Sequence, residues 1–233
     1  MVKEELIQRS PLRVLERSLQ GGIGAGKINV IASPKGVGKT AVLVHLATDQ
    51  LFQGRHVVHV SFSAKTDHII SWYEDIFKEI AMKRDLADAL EVHDDIIRNR
   101  VIMNFSQRGL SAEQFLQSLE AMIVQGGFAA KLVVVDGYDF DQGHPESIAA
   151  IRAFAEEHEI AFWFSASTEP NELTTDRGVP KRLERYDDHI DVLIALTPAG
   201  DHVLLHLLKE NGNYPRIDME LKLDSRSLLI VSE

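Results

Sequence analysis

Apolar residues along this chain fall into two alternating rhythms, short unbroken runs and longer stretches with a helical period. The runs are KINVIAS (27–33), HVVHVSF (56–62), RVIMNF (100–105), KLVVVD (131–136), IAFWFSAS (160–167) and DVLIAL (191–196). Unbroken apolar strands separated by helical segments predict a parallel sheet buried on both faces, with crossover helices between its strands. Two later segments, HVLLHLL (202–208) and IDMELKL (217–223), follow turn-forming residues at Pro198–Asp201 and Asn211–Asn213, and predict an antiparallel hairpin at one edge.

The intervening helices carry their own end signals. Ser111 with Gln114 forms a capping box ahead of the stripe Phe115, Leu119, Met122 and Ile123, and Gly126-Gly127 closes that helix. Pro145 opens another, carried by Ile148, Ile151 and Phe154. A third spans 67 to about 90, with Ile69, Ile70, Tyr73, Ile76, Phe77 and Ile80 on its apolar face. No linker or repeat interrupts the pattern, so the expectation is one α/β domain over 1–233, with 1–26 as a lead-in.

The chemistry concentrates where the first run ends. Residues 28–43 read INVIASPKGVGKTAVL. A strand delivers the chain to a glycine-rich turn, and the following helix aims its N-terminus there, which is the architecture that wraps a phosphate in backbone N–H groups. Ser33, Pro34, Lys35, Gly36, Val37, Gly38, Lys39, Thr40 and Ala41 form the expected nucleotide-binding set. Lys39 is the phosphate lysine and Thr40 a magnesium ligand. Ser33 stands where such loops open on glycine, and a second lysine, Lys35, precedes Lys39 by four residues, whereas deviant-loop ATPases of the ParA/MinD type place theirs five before. KLVVVD supplies an acidic partner for magnesium, Asp136, at a strand's carboxyl end.

Composition narrows the context. The net charge is −10, which opposes nucleic-acid binding through bulk positive potential. The chain has no cysteine, so disulfides and thiolate metal sites are excluded; its ten histidines are scattered, with His56 and His59 on opposite faces of one strand. No apolar run approaches the ~20 residues that span a bilayer. The start lacks a secretory pattern, and a cytoplasmic location without membrane contact is expected.

Taken with the loop, the flanking segments resemble the RecA superfamily of ATPases, in particular its KaiC-like and DnaB-like branches. SPLRVLERSLQGGIGAGKINVIASPKGVGKT is similar to the KaiC-like helix, Gly-Gly turn and strand leading into the loop. YDDHIDVLIAL and LLHLLKENGNYP resemble the late strand and penultimate hairpin of DnaB-like proteins. The resemblance implies a RecA-like three-layer fold, ATP or ADP with Mg²⁺, and a ring or filament of identical subunits with ATP near the interfaces. It also implies a γ-phosphate sensor at Ser167 or Thr168 and a trans-acting cation at Lys209.

Two positions depart from that family. A water-positioning glutamate is expected after the second run, but Phe62-Ser63-Ala64-Lys65 holds no carboxylate before Asp67, the remaining candidate base. The arginine of the family's Lys-x-Arg pair falls on Asn211, with Arg216 nearby. Such groups act on the transition state, while the loop grips ground-state phosphates. The expectation is therefore a nucleotide-dependent regulatory or assembly protein, with a protein partner and little hydrolysis. The alternatives are an active motor or remodelling ATPase, a nucleic-acid-binding paralogue using Arg177, Lys181, Arg182 and Arg185, and a small-molecule kinase. The plain reading of that basic segment is a solvated loop whose cations pair with nearby acids such as Glu184, Asp187 and Asp188.

Overall fold

The computed structural model describes residues 7–8, 10–19, 24–62, 65–84 and 89–232. The Gly21-Gly22 turn and the Ser63-Ala64 pair lie outside them. The elements run α1 (Leu12–Ser18), β1 (Ile28–Pro34), α2 (Lys39–Phe52), β2 (His56–Ser61), α3 (Thr66–Arg84), α4 (Ala89–Arg98), β3 (Arg100–Asn104) and α5 (Ala112–Glu120). After one wide helical turn at Ala121–Gln125 come β4 (Ala130–Asp136), α6 (Pro145–His158), β5 (Ala161–Thr168) and a tight helix at Lys181–His189. The chain closes with β6 (Val192–Ala199), β7 (His202–Glu210), β8 (Ile217–Asp224) and β9 (Ile230–Ser232).

The nine strands among the described residues form one sheet in the order β3-β2-β4-β5-β1-β6-β7-β8-β9. The pairings from β3 across to β6 are parallel, and those from β6 to β9 antiparallel. Strand alternation sends Ile31, Leu132, Val134 and Trp163 to a core shared with α1 to α4. Their neighbours Val30, Val133, Val135 and Phe164 go to a second core under α5, α6 and the Lys181–His189 helix. Helices thus cover both faces, as unbroken apolar strands demand.

Each of the predicted runs is a strand, and the Ser111/Gln114 capping box and the Pro145 start are present. Three details differ. The stretch from 67 to about 90 comprises parts of two helices, α3 and α4, and Ile70 faces outward from the first. The predicted hairpin of β7 and β8 is not the edge, because β9 pairs beyond it. A three-residue strand is too short to carry a periodicity. It is fixed instead by a long-range bond, in which the Ile230 N–H donates to His45 Nδ1 at 3.0 Å.

Helix α2 lies almost wholly inside the molecule, polar residues included. Asp49, on its buried side, accepts from Arg13 of α1 and from Gln53 at 2.7 Å. A carboxylate this deep is tolerable only with its cation present. Replacing Arg13 by Leu should cost about 3–5 kcal/mol in denaturant unfolding, whereas the pair Arg13→Leu/Asp49→Leu should recover most of that loss. Equal instability of the single and double variants would show that the ion pair is not what joins α1 to α2.

Candidate phosphate-binding site

The parallel strands all end on the same side of the sheet, and the loop following β1 sits at that side. Gly36 and Gly38 adopt φ of 81° and 116°, which only glycine enters without strain. Gly38 is doubly constrained, since a Cβ there would lie 2.4 Å from Leu223 Cδ2 of β8. The loop is thus packed against the antiparallel extension of the sheet. It leads into α2, which begins with no side-chain cap and no acidic residue in its first turn, so its leading N–H groups and partial positive charge face the loop.

Lys39 is only 8% exposed, and its ammonium donates to the carbonyls of Ser33 and Pro34 at 2.8 and 2.9 Å, with Ser33 Oγ at 3.4 Å. Burial lowers its pKa to about 8, against the pull of Asp136, while the exposed Lys35 pushes the same way as burial. A buried cation hydrogen-bonded only to neutral oxygens has charge left over to attract an anion.

Asp136 supplies the second half of the site. Thr40 Oγ1 donates to Asp136 Oδ2 at 2.8 Å, and Ser165 Oγ donates to Asp136 Oδ1 at 2.6 Å. The Gly137 N–H in turn donates to Ser165 Oγ at 2.8 Å. A hydroxyl and a carboxylate from two separate elements are therefore already in contact where a hard divalent cation would take oxygen ligands. Behind them His59, fully buried on β2, hydrogen-bonds Tyr73 at 3.1 Å; burial lowers its pKa to about 4, so at neutral pH it adds no charge beside Asp136. Among the described residues no cluster of three or more histidines or acids offers another metal site.

The structure brings Ser33 to Ala41 together with Asp136. Ser167 sits beside them, in register with Ser33 on the adjacent β5, its carbonyl accepting from Arg182 at 2.6 Å. Asp67 is exposed on the first turn of α3, where its carbonyl accepts from the Ser71 hydroxyl at 3.0 Å. Lys209 is not brought to the loop: it pairs across β7 with Leu193, itself level with Val30 well back along β1. Its buried ammonium is held by Asp187 Oδ1 at 2.9 Å and by the Asp187 carbonyl. Asn211 accepts from Lys27 at 2.9 Å, and Arg216 donates to the Arg177 carbonyl at 2.7 Å.

Sequence reasoning missed Ser165, hidden in an apolar run, and Leu223, whose contact with Gly38 depends on two strands far apart in sequence. It also missed a cavity of about 420 Å³ beside the loop, walled by Lys35 to Thr40, Trp72, Pro198, His202, Leu223 and Leu228. Compared with known protein families and with curated proteins, the sequence matches none of them significantly.

An anion at this site favours the charged form of Lys39, so binding takes up a proton above pH 8. If Lys39 receives a polyphosphate, affinity for ATP as the probe should be flat below that pH and fall by up to about tenfold per unit above it. Titration calorimetry across pH 7 to about 10 reads the slope, which an arginine at position 39 should remove, because its charge persists throughout. An unchanged affinity up to pH 10 would take Lys39 out of the anion site.

Proposed function

We propose that the chain binds ATP or ADP with Mg²⁺ at this loop and acts as a nucleotide-dependent regulatory or assembly protein of RecA/KaiC-like type, with slow or absent hydrolysis. The observation that carries the reading is Lys39, a buried ammonium with only carbonyl and hydroxyl partners, next to a Thr40–Asp136 contact of 2.8 Å. Lys39, the loop amides and the α2 N-terminus would hold phosphates, and Thr40 with Asp136 would hold the cation. Bound there, the cation would neutralise phosphate charge. The 420 Å³ cavity, with Trp72, Leu223 and Leu228 in its wall, has the size and apolar lining for a nucleoside.

Slow turnover follows from what surrounds the loop. Ser63 stands where the resembling family places its water-positioning glutamate, and Asp67 lies exposed on a helix end. Lys209 is engaged by Asp187 within its own subunit, so reaching a neighbour's phosphate would first require breaking a buried ion pair. A ring or filament with nucleotide at its interfaces is part of the proposal and rests on the resemblance alone.

The motor acting on nucleic acid fits the geometry less well, because the cations of the basic segment, though mostly exposed, are engaged within the chain. Arg182 pairs with Glu172 at 2.7 Å and Asp141 at 3.2 Å, and Lys181 with Glu184 at 2.6 Å. Arg185 donates to the carbonyls of Phe140 and Gly143 at 2.6 and 2.9 Å, while Arg177 lies 3.8 Å from Asp187. The cations are paired, as the plain reading of the segment expects, with several partners coming from other loops.

Equilibrium binding and phosphate release measured on one preparation test the proposal. Lys39→Ala should weaken Mg·ATP about 10- to 100-fold, the loss of one charge-assisted hydrogen bond of ~1.5–3 kcal/mol. Turnover should stay well below ~1 s⁻¹, the low end of ordinary enzyme rates. Unaltered binding in Lys39→Ala would end the nucleotide reading. Turnover near that rate, abolished by Asp67→Asn, would replace the regulatory protein with an ATPase.

A further inference from the structure

A second cavity opens on the other face of the sheet, at the same carboxyl edge. It encloses about 300 Å³ between the loop following β3 and the loop following β4. Four aromatic side chains wall it in a connected series. Phe62 meets Phe115 at 6.0 Å and Tyr138 at 5.8 Å between ring centroids, and Tyr138 meets Phe164 edge-on at 5.7 Å. Their faces and edges offer stacking surface for another ring.

The walls are held firmly. Gln107 and Asp139 exchange two hydrogen bonds, Nε2 to the Asp139 carbonyl at 2.9 Å and the Asp139 N–H to Oε1 at 2.7 Å, which lock the two loops together. Arg185 and the Tyr186 hydroxyl bond to the Phe140 carbonyl from outside at 2.6 and 2.7 Å. The Tyr138 hydroxyl rests on Gly143, where a Cβ would approach it to 2.4 Å, so glycine is needed for the ring to keep its place. A site prepared in this way costs a ligand little reorganisation.

The cavity is not electrically neutral. Arg108 lines it from an exposed turn and makes no ion pair among the described residues, although the protein carries net charge −10. In the nearby basic segment every cation has found an acid or a carbonyl. The Tyr138 hydroxyl adds a donor to the wall. Aromatic walls with donors and one cation at the rim select a flat ring bearing a negative group.

We propose that this cavity is a second binding site, distinct from the phosphate loop, for a small planar aromatic carboxylate of one or two rings. Its volume stands at the lower end of small-ligand pockets, about 300–1,000 Å³, which limits the ring count. The ring lies among Phe62, Phe115, Tyr138 and Phe164, and the carboxylate points towards Arg108. The assignment does not depend on nucleotide binding, because none of these residues belongs to the loop.

The probe is 1-naphthoate, with the uncharged 1-naphthalenemethanol as its isostere, added to the full chain without nucleotide. Saturation-transfer NMR and calorimetry should show naphthoate binding at millimolar or tighter affinity, with the alcohol at least about fivefold weaker. Arg108→Glu, an exposed change, should weaken naphthoate at least ~10-fold. Ser147→Trp, which fills the cavity from α6, should abolish binding. Nuclear Overhauser contacts from the naphthyl protons to Phe115 and Tyr138 in the unaltered protein locate the ligand even if that variant does not fold. Absence of binding at ~5 mM, weaker than any small-ligand site of this size should show, overturns the site. So do contacts to other residues. Equal affinity for the alcohol, or an unaffected Arg108→Glu, overturns the carboxylate.

Discussion

Asp136 is a buried carboxylate, and the arrangement of the site follows from satisfying it. Its two oxygens accept from Thr40 and Ser165, so one side chain on β4 ties the start of α2 to β5. The carboxylate also raises the pKa of Lys39 against the effect of burial, and so favours its charged form. Without Asp136 the hydroxyls lose their acceptor and the lysine loses its counter-charge. The loop geometry and the charge distribution are therefore two aspects of one desolvated group.

Strands β1, β2, β4 and β5 were legible because they are buried on both faces, and an unbroken apolar run has few other uses in a chain of this length. The loop was legible because glycine spacing records backbone conformation directly, as Gly36 and Gly38 show. What stayed hidden depended on register. Ser165 serves Asp136 because β4 and β5 pair Val135 with Phe164, which puts the next residue of each strand side by side. No spacing within one segment reports that offset. Leu223 is comparable: it reads as an ordinary strand residue until β8 is placed across from the loop. Lys209 also gains a partner that no local pattern reports, since Asp187, 22 positions away, holds its ammonium.

Charge is distributed in this molecule by internal need more than by surface potential. Arg182 and Arg185 face the Asp139–Gly143 loop and fasten it, so the segment following β5 serves as a buttress for the segment following β4. A row of arginines in the sequence looks like an invitation to a polyanion. Here the fork of the guanidinium is used on carbonyls and carboxylates of the same chain, a role that lysine would fill poorly. The segment following β4 starts beside Asp136 and goes on to line the aromatic cavity.

The packing of Leu223 on Gly38 has a consequence for how the molecule comes into being. Together with the bond between Ile230 and His45, which spans 185 positions, it places the finishing contacts of an early loop at the far end of the sequence. Contacts of such long range delay folding, since their closure entropy must be met before they contribute. During synthesis the glycine turn emerges early, yet the leucine that seats it arrives only after nearly the whole sheet has been made. A nascent chain would thus carry the glycine turn well before it carries the strand that packs against it.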